Sequence, residues 1–163
     1  IANLKAVIMK SFLQRITFTI LASVCSASLY AAEVVDLSQY QGEQAIYIDF
    51  WASWCGPCRQ SFPWLNKMHA QYSEKGLKII AVNVDADRED ADQFLLEHPA
   101  NFDVVYDPEG TLAEQFNIQG MPSAVLISRS GEVLSQHIGF NQNRAKHYEE
   151  AIQQLLVKEK DDE

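Results

Sequence analysis

Two cysteines three positions apart, Cys55 and Cys58 in the run Trp54-Cys55-Gly56-Pro57-Cys58, are the residues of this 163-residue chain best suited to chemistry. Thiols at this spacing can exchange with a disulfide, or supply half of a zinc site. The zinc reading needs two further ligands, usually a second cysteine pair or closely spaced histidines. His69, His98, His137 and His147 are scattered, and each reads better as a surface or core-edge residue. A disulfide across so short a loop removes little entropy from the unfolded chain, so a structural staple is a poor purpose for it. Redox chemistry is therefore the leading reading.

The flanking sequence must position the pair. Gln44 to Phe50, mixing β-branched and aromatic residues, reads as a buried strand. It leads through the cysteine motif into a helix reaching Tyr72. At that helix start, unpaired N–H groups and the positive end of the dipole favour a thiolate. Cys55 is thus expected to be the attacking sulfur, with Cys58, one turn inside and less exposed, resolving the mixed disulfide. Gly56 permits close approach of a substrate, and Pro57 suits the first helical turn because its missing N–H has no partner there. Phe62, Leu65, His69 and Tyr72 define the inner helix face, with His69 expected to be packed and satisfied. Gly76 ends the helix.

Further along, Leu77–Val84 and Phe102–Tyr106 read as strands, and Asp90–Glu97 as a helix closed by Pro99. Thr111, with Glu114 three on, reads as a capping box for a short helix to Phe116. Ser123–Ser128 and Val133–Ile138 flank a hairpin turn, and a last helix spans Gln142–Val157 before a charged, frayed tail. Strands alternating with helices, then a hairpin and terminal helix, predict an α/β fold with a mixed sheet and helices on both faces. The acidic run Asp85 to Asp90 lacks the glycine and glutamate of an EF-hand loop, and reads as a solvated loop and helix N-terminus.

The first 32 residues differ in kind. They contain no acidic residue, only Lys5, Lys10 and Arg15 near the start, then the apolar or small run Ile16–Tyr30. This is the pattern of a secretory signal peptide, with cleavage expected between Ala27 and Ala32. Met9, opening MKSFLQR, is the expected translation start. An uncleaved anchor and lipidation at Cys25 are the competing readings; Val24 is a poor fit to the small residue that lipidation wants before the cysteine. The domain boundary is placed at 33–163. The whole chain carries net charge −9, and removing those three basic residues takes it to −12. Such a surface argues against nucleic-acid binding. The exported part keeps one cysteine pair and no spare thiol in an oxidising compartment.

The stretch FWASWCGPC resembles the active-site motif of thioredoxins, and the likeness extends over roughly residues 34–157. Pro63 matches the helix proline, Gly120-Met121-Pro122 the loop with a cis-proline, and Gly131 and Gly139 the hairpin glycines. The lead-in Asp36 to Gly42, and the 36 positions from Asp85 to Met121, resemble the exported TlpA/ResA-type branch, in which a helix and a strand are inserted. The resemblance implies a thioredoxin-like fold with that helix-plus-strand insertion. It implies a cis Pro122 facing the cysteines, a Met121 backbone that pairs with an extended substrate, and Trp54 in the contact surface. It also implies that Asp49 is the buried carboxylate that deprotonates the second cysteine. A solvated strand-edge residue is the alternative for Asp49, and many TlpA/ResA-type proteins carry asparagine there.

The expected activity is disulfide reduction through a Cys55/Cys58 dithiol–disulfide cycle, with no cofactor beyond that redox-active disulfide and no metal. Gly-Pro between the cysteines goes with reducing potentials, near −270 mV for thioredoxin against about −120 mV for the oxidant DsbA. The implied partners are protein thiol and disulfide substrates, such as apocytochrome c during cytochrome c maturation, and a membrane electron donor of the DsbD or CcdA kind. A monomer in the periplasm or another exported location is expected. The alternatives are a disulfide oxidant or isomerase, and a copper-delivery module, which the C-x-x-C spacing disfavours. A peroxidase is disfavoured because its resolving cysteine does not lie three residues on.

Overall fold

A computed structural model describes residues 42–161. The expected signal peptide at 1–32, its cleavage site, Met9 and the start of the domain lie outside the described residues. The elements in chain order are β1 (Ala45–Trp51), α1 (Cys58–Tyr72), a 3-10 turn (Ser73–Lys75), β2 (Leu77–Asn83), α2 (Arg88–Glu97), β3 (Asp103–Tyr106), α3 (Thr111–Gln115), β4 (Ser123–Ile127), β5 (Val133–Ile138) and α4 (Gln142–Asp161).

The strands form one sheet in the order β3-β2-β1-β4-β5. β1 pairs in parallel with β2, and β2 with β3, while β4 pairs antiparallel with both β1 and β5. This is the mixed α/β sheet expected. β1 sits at the centre and every residue in it is buried. The helix-plus-strand stretch α2–β3 supplies the edge strand beside β2.

Alternation along the strands builds two apolar layers. Tyr47 and Trp51 of β1 join Phe62, Leu65 and Met68 of α1, Phe94 of α2 and Ile152 and Leu155 of α4. Ile46, Ile48 and Phe50 join Ile80, Val82, Val125 and Leu112 of α3 on the other face. Each fully buried large side chain contributes roughly 1.5–3 kcal/mol. The α1 stripe is Phe62, Leu65, Met68 and Tyr72, with Trp64 beside it. His69 is only half-buried, packs near Phe102, and its Nδ1 has no hydrogen-bond partner, so it is not the satisfied core residue expected.

Two ends differ from expectation. Thr111 does not cap α3: the cap position is Gly110, no side chain caps it, and Glu114 N–H donates to the Gly110 carbonyl. The Asp107 carboxylate takes over part of that role, accepting from Ala113 N–H at 2.9 Å. The last helix continues past Val157 to Asp161, because Glu159 accepts from the Arg129 backbone at 2.7 Å and pairs with its guanidinium at 3.3 Å. Gly76 closes the α1 segment at φ 95°, and a Cβ there would lie 2.9 Å from the Arg129 side chain. Among the described residues no helix is long and apolar enough to cross a membrane.

Candidate active site

The site lies where β1 ends and α1 begins. β1 stops at Trp51, and the next residues turn sharply: Cys55 N–H donates to the Ala52 carbonyl at 3.1 Å, and Cys58 N–H to the Cys55 carbonyl at 3.2 Å. Pro57 takes the cap position of α1 with φ −62°, so its fixed φ already suits a helix, and Cys58 is the first helical residue.

Cys55 and Cys58 are joined by a disulfide with Cα atoms 5.4 Å apart. Cys58 N–H also points at Cys55 Sγ, at 3.3 Å. In the reduced protein the same N–H would face a Cys55 thiolate, which is the stabilisation a helix start offers an anion. Cys58 is fully buried and Cys55 shows 3% of its surface. Arg59, one residue into α1, spans the loop and donates to the Ser53 carbonyl at 3.4 Å. Trp54 stands 70% exposed beside the pair, as a contact surface requires. Gly56 and Pro57, between the two cysteines, are exposed, and a Cβ at Gly56 would meet nothing within 4 Å.

The Gly120-Met121-Pro122 loop carries a cis Met121–Pro122 bond, as expected. Met121 packs against the apolar cluster that contains both cysteines. The loop is tied down on either side: Ser123 Oγ donates to the Gly120 carbonyl at 2.6 Å, and Gly139 N–H to the Pro122 carbonyl at 2.7 Å. Among the described residues no loop or turn hydrogen bond involves the Met121 backbone.

Asp49 occupies the middle of β1, opposite Ala81 on one side and Ala124 on the other. Its alternation with Tyr47 and Trp51 puts it on the sheet face shared with Cys58. It is 3% exposed, not a solvated strand-edge residue, and its Oδ2 has no hydrogen-bond partner. Burial pushes its carboxyl well above the ordinary aspartate range. A carboxyl so placed favours its protonated form more than an ordinary aspartate does.

Two features were not anticipated. Asp85 is buried, not solvated. Its carboxylate accepts from Ser53 N–H at 2.8 Å, from Ser53 Oγ at 3.0 Å and from Asn83 Nδ2 at 2.7 Å. It thereby clamps the loop that precedes Trp54 and Cys55 to the end of β2. The rest of the acidic run behaves as expected, with Asp87 capping α2 through Glu89 N–H. The signal for Asp85 is its place two residues after Asn83, just beyond the end of a strand whose last four residues before Asn83 are apolar. The second feature is His137, whose Nε2 lies 3.1 Å from the Tyr47 hydroxyl and whose ring stacks on Tyr148 at 3.9 Å. Among the described residues no three His, Cys, Asp or Glu gather into a metal site.

Comparison with known proteins places this geometry. Residues 23–152 match the family described as Redoxin. The chain is 35% identical over 99 residues to the thiol-disulfide oxidoreductase ResA of Oceanobacillus iheyensis, covering 61% of this chain and 51% of that one. It is 28% identical over 100 residues to ResA of Bacillus subtilis, covering 61% and 55%. The chain thus spans a little over half the length of these curated relatives. A crystal structure from Chlorobium tepidum, assigned as a thiol:disulfide interchange protein DsbE, shares 48% identity at a TM-score of 0.72, covering 75% of this chain and 86% of that one.

Proposed function

The chain belongs to the Redoxin family, as a thioredoxin-fold oxidoreductase domain of the TlpA/ResA type, and from that premise we propose that the protein is an exported reductant of protein disulfides. The observation that carries this reading is the Cys55–Cys58 disulfide at the start of α1, with the Cys58 N–H aimed at Cys55 Sγ and the Met121–Pro122 loop packed beside it.

In the reduced protein, the Cys55 thiolate attacks one sulfur of a substrate disulfide and forms a mixed disulfide; the other substrate sulfur leaves with the electron pair and takes up a proton. Asp49 accepts the proton of Cys58. The Cys58 thiolate then attacks Cys55, the Cys55–substrate bond breaks, and the second substrate thiol departs. Two electrons have passed to substrate, and Cys55–Cys58 is again a disulfide. Trp54 and the Met121 backbone hold the substrate chain in an extended form across the pair, and Gly56 and Pro57 keep the approach clear.

Residues 1–32 serve as the export leader in this reading, and the protein acts as a monomer outside the cytoplasm. A reductant there needs an electron source, for which a membrane dithiol donor of the DsbD or CcdA kind is chemically suited. Apocytochrome c cysteines awaiting haem are a fitting substrate, because they must be reduced in an oxidising compartment.

The test is the reduction potential of the pair in residues 33–163. It is measured in thiol/disulfide buffers through the fluorescence of buried Trp51 and exposed Trp54. A value near or below about −230 mV supports a reductant, and one near −120 mV makes the protein a disulfide donor instead.

A further inference from the structure

The peptide group that ties down the Pro122 loop has no side chain of its own to hold it in place. The β4–β5 ladder ends with Ser123 opposite Ile138, and one residue on, Gly139 N–H donates to the Pro122 carbonyl at 2.7 Å. Gly139 has left the extended conformation, with φ 79°, a region that favours glycine. A Cβ built on it would meet nothing within 4 Å. β5, which leads up to it, is an edge strand, and of its six residues all but His137 are exposed. The position of the Gly139 amide is therefore set by the side chains on either side of it, His137 and Phe140. Both meet the same buried side chain of α4. The His137 ring stacks on Tyr148 with centroids 3.9 Å apart and planes 3° from parallel. The Phe140 ring lies 6.2 Å from that Tyr148 ring. Trp64, on the helix that Cys58 begins, completes the cluster at 6.1 Å from Tyr148, 5.6 Å from Phe140 and 5.8 Å from Tyr47. The Tyr47 hydroxyl in turn meets His137 Nε2 at 3.1 Å.

We propose that Tyr148 is a positioning residue for substrate binding: through its ring, α4 clamps His137 and Phe140, and so holds the Gly139 amide on the Pro122 carbonyl. This rests on the reading of the Met121–Pro122 loop as the place where an extended substrate chain lies. Aromatic pairs favour particular ring geometries beyond the area they bury, so two rings set against one fix the short segment between them. Without the Tyr148 ring, that segment and the loop tied to it sample more positions. A peptide that binds along the loop backbone must then order the loop as well, and the cost falls on its affinity. A small disulfide reaches Cys55 without using the loop and does not meet that cost. The signature of the clamp is therefore a split between the two kinds of substrate.

The experiment uses reduced protein in single-turnover stopped flow with two probes. One is an extended peptide whose single cysteine is joined to a chromogenic aryl thiol as a mixed disulfide; the other is a hydroxyethyl disulfide of the same aryl thiol. In both, release of the aryl thiol reports attack by Cys55. Tyr148→Leu is expected to raise the half-saturating concentration of the peptide roughly three- to tenfold, the range that one aromatic pair can hold back. Its maximal rate on the peptide and its rate on the small disulfide are expected to stay at wild type. Tyr148→Phe keeps the ring and is expected to behave as wild type with both probes. Should Tyr148→Leu not fold, His137→Leu tests the same clamp from the half-buried edge strand, with the same split expected. Half-saturation at the wild-type value, or equal slowing with both probes, overturns the proposal. The loop reading is tested separately in wild type, with the peptide N-methylated at the amides flanking its cysteine. Weaker binding of that peptide supports the reading; unchanged binding overturns both the reading and the clamp.

Discussion

Cys55 and Cys58 carry the same side chain but are given different surroundings. Cys55 has an N–H aimed at its sulfur and exposed Trp54, Gly56 and Pro57 as neighbours, whereas Cys58 lies inside the first turn of the helix with none of its surface exposed. Cys55→Ser is therefore expected to abolish disulfide exchange. Cys58→Ser is expected to leave Cys55 able to attack and to accumulate stable mixed disulfides, readable by mass spectrometry of the trapped complexes. Full exchange activity in Cys55→Ser would sink the assignment of the attacking sulfur. Asp49 makes a prediction of a different kind, about stability. Its folded carboxyl is raised by burial, so the folded state holds a proton that the unfolded chain has already lost. Its contribution is complete below the unfolded value near 3.9, and is lost as pH rises from there through the folded value, at about 1.4 kcal/mol per pH unit. Asp49→Asn removes this loss. Urea unfolding of the oxidised proteins should find the variant increasingly more stable than wild type as pH climbs, with the gap closing toward pH ~4.

At the scale of elements, the site is a junction held from two sides. The Ser53 backbone, just before the motif, is bound by Asp85 from the end of β2. The Pro122 carbonyl is bound by Gly139 at the end of β5. Neither tie involves a cysteine; each holds one loop, the one before Cys55 and the one at Pro122, to the end of a strand. Asp85→Ala leaves the Ser53 N–H and the Asn83 amide without their acceptor in a buried place, at a cost of about 1–3 kcal/mol. The variant is expected to lower the urea midpoint. It is also expected to slow the Cys55 attack step, because the loop carrying Trp54 and Cys55 is no longer anchored. An attack rate equal to wild type in a destabilised variant would reduce Asp85 to a structural role.

At the scale of the whole molecule, the acidic balance governs encounter. The chain carries net charge −9, and −12 without the three basic residues of the first 32. A surface of one sign steers oppositely charged partners, and salt screens it over a Debye length of about 10 Å at 0.1 M. Stopped-flow reduction of two peptide disulfides, one basic and one acidic but otherwise matched, is expected to favour the basic one at low salt. The preference should collapse as salt is raised. Equal rates at low salt would mean that the site's local field, with Arg59 at the loop, outweighs the net charge.

Much of this protein is legible in the sequence because the signals are local. The strand, the cysteine spacing, the helix start and the glycine at 76 are each set by neighbours a few residues away, and each appears where expected. Thr111 failed as a cap although its signal was also local: a carboxylate four residues earlier reached the helix first. What only the tertiary structure decided are the polar groups whose partners lie far along the chain. Asp85 looks like one more solvated acid until Ser53, 32 positions away, supplies its donors. Glu159 looks like frayed tail until Arg129 receives it. His137 looks like an edge residue until the sheet order brings it to Tyr47, 90 positions away. Pattern and propensity fix the layer a residue belongs to; a buried polar group's partner is chosen by how the layers meet.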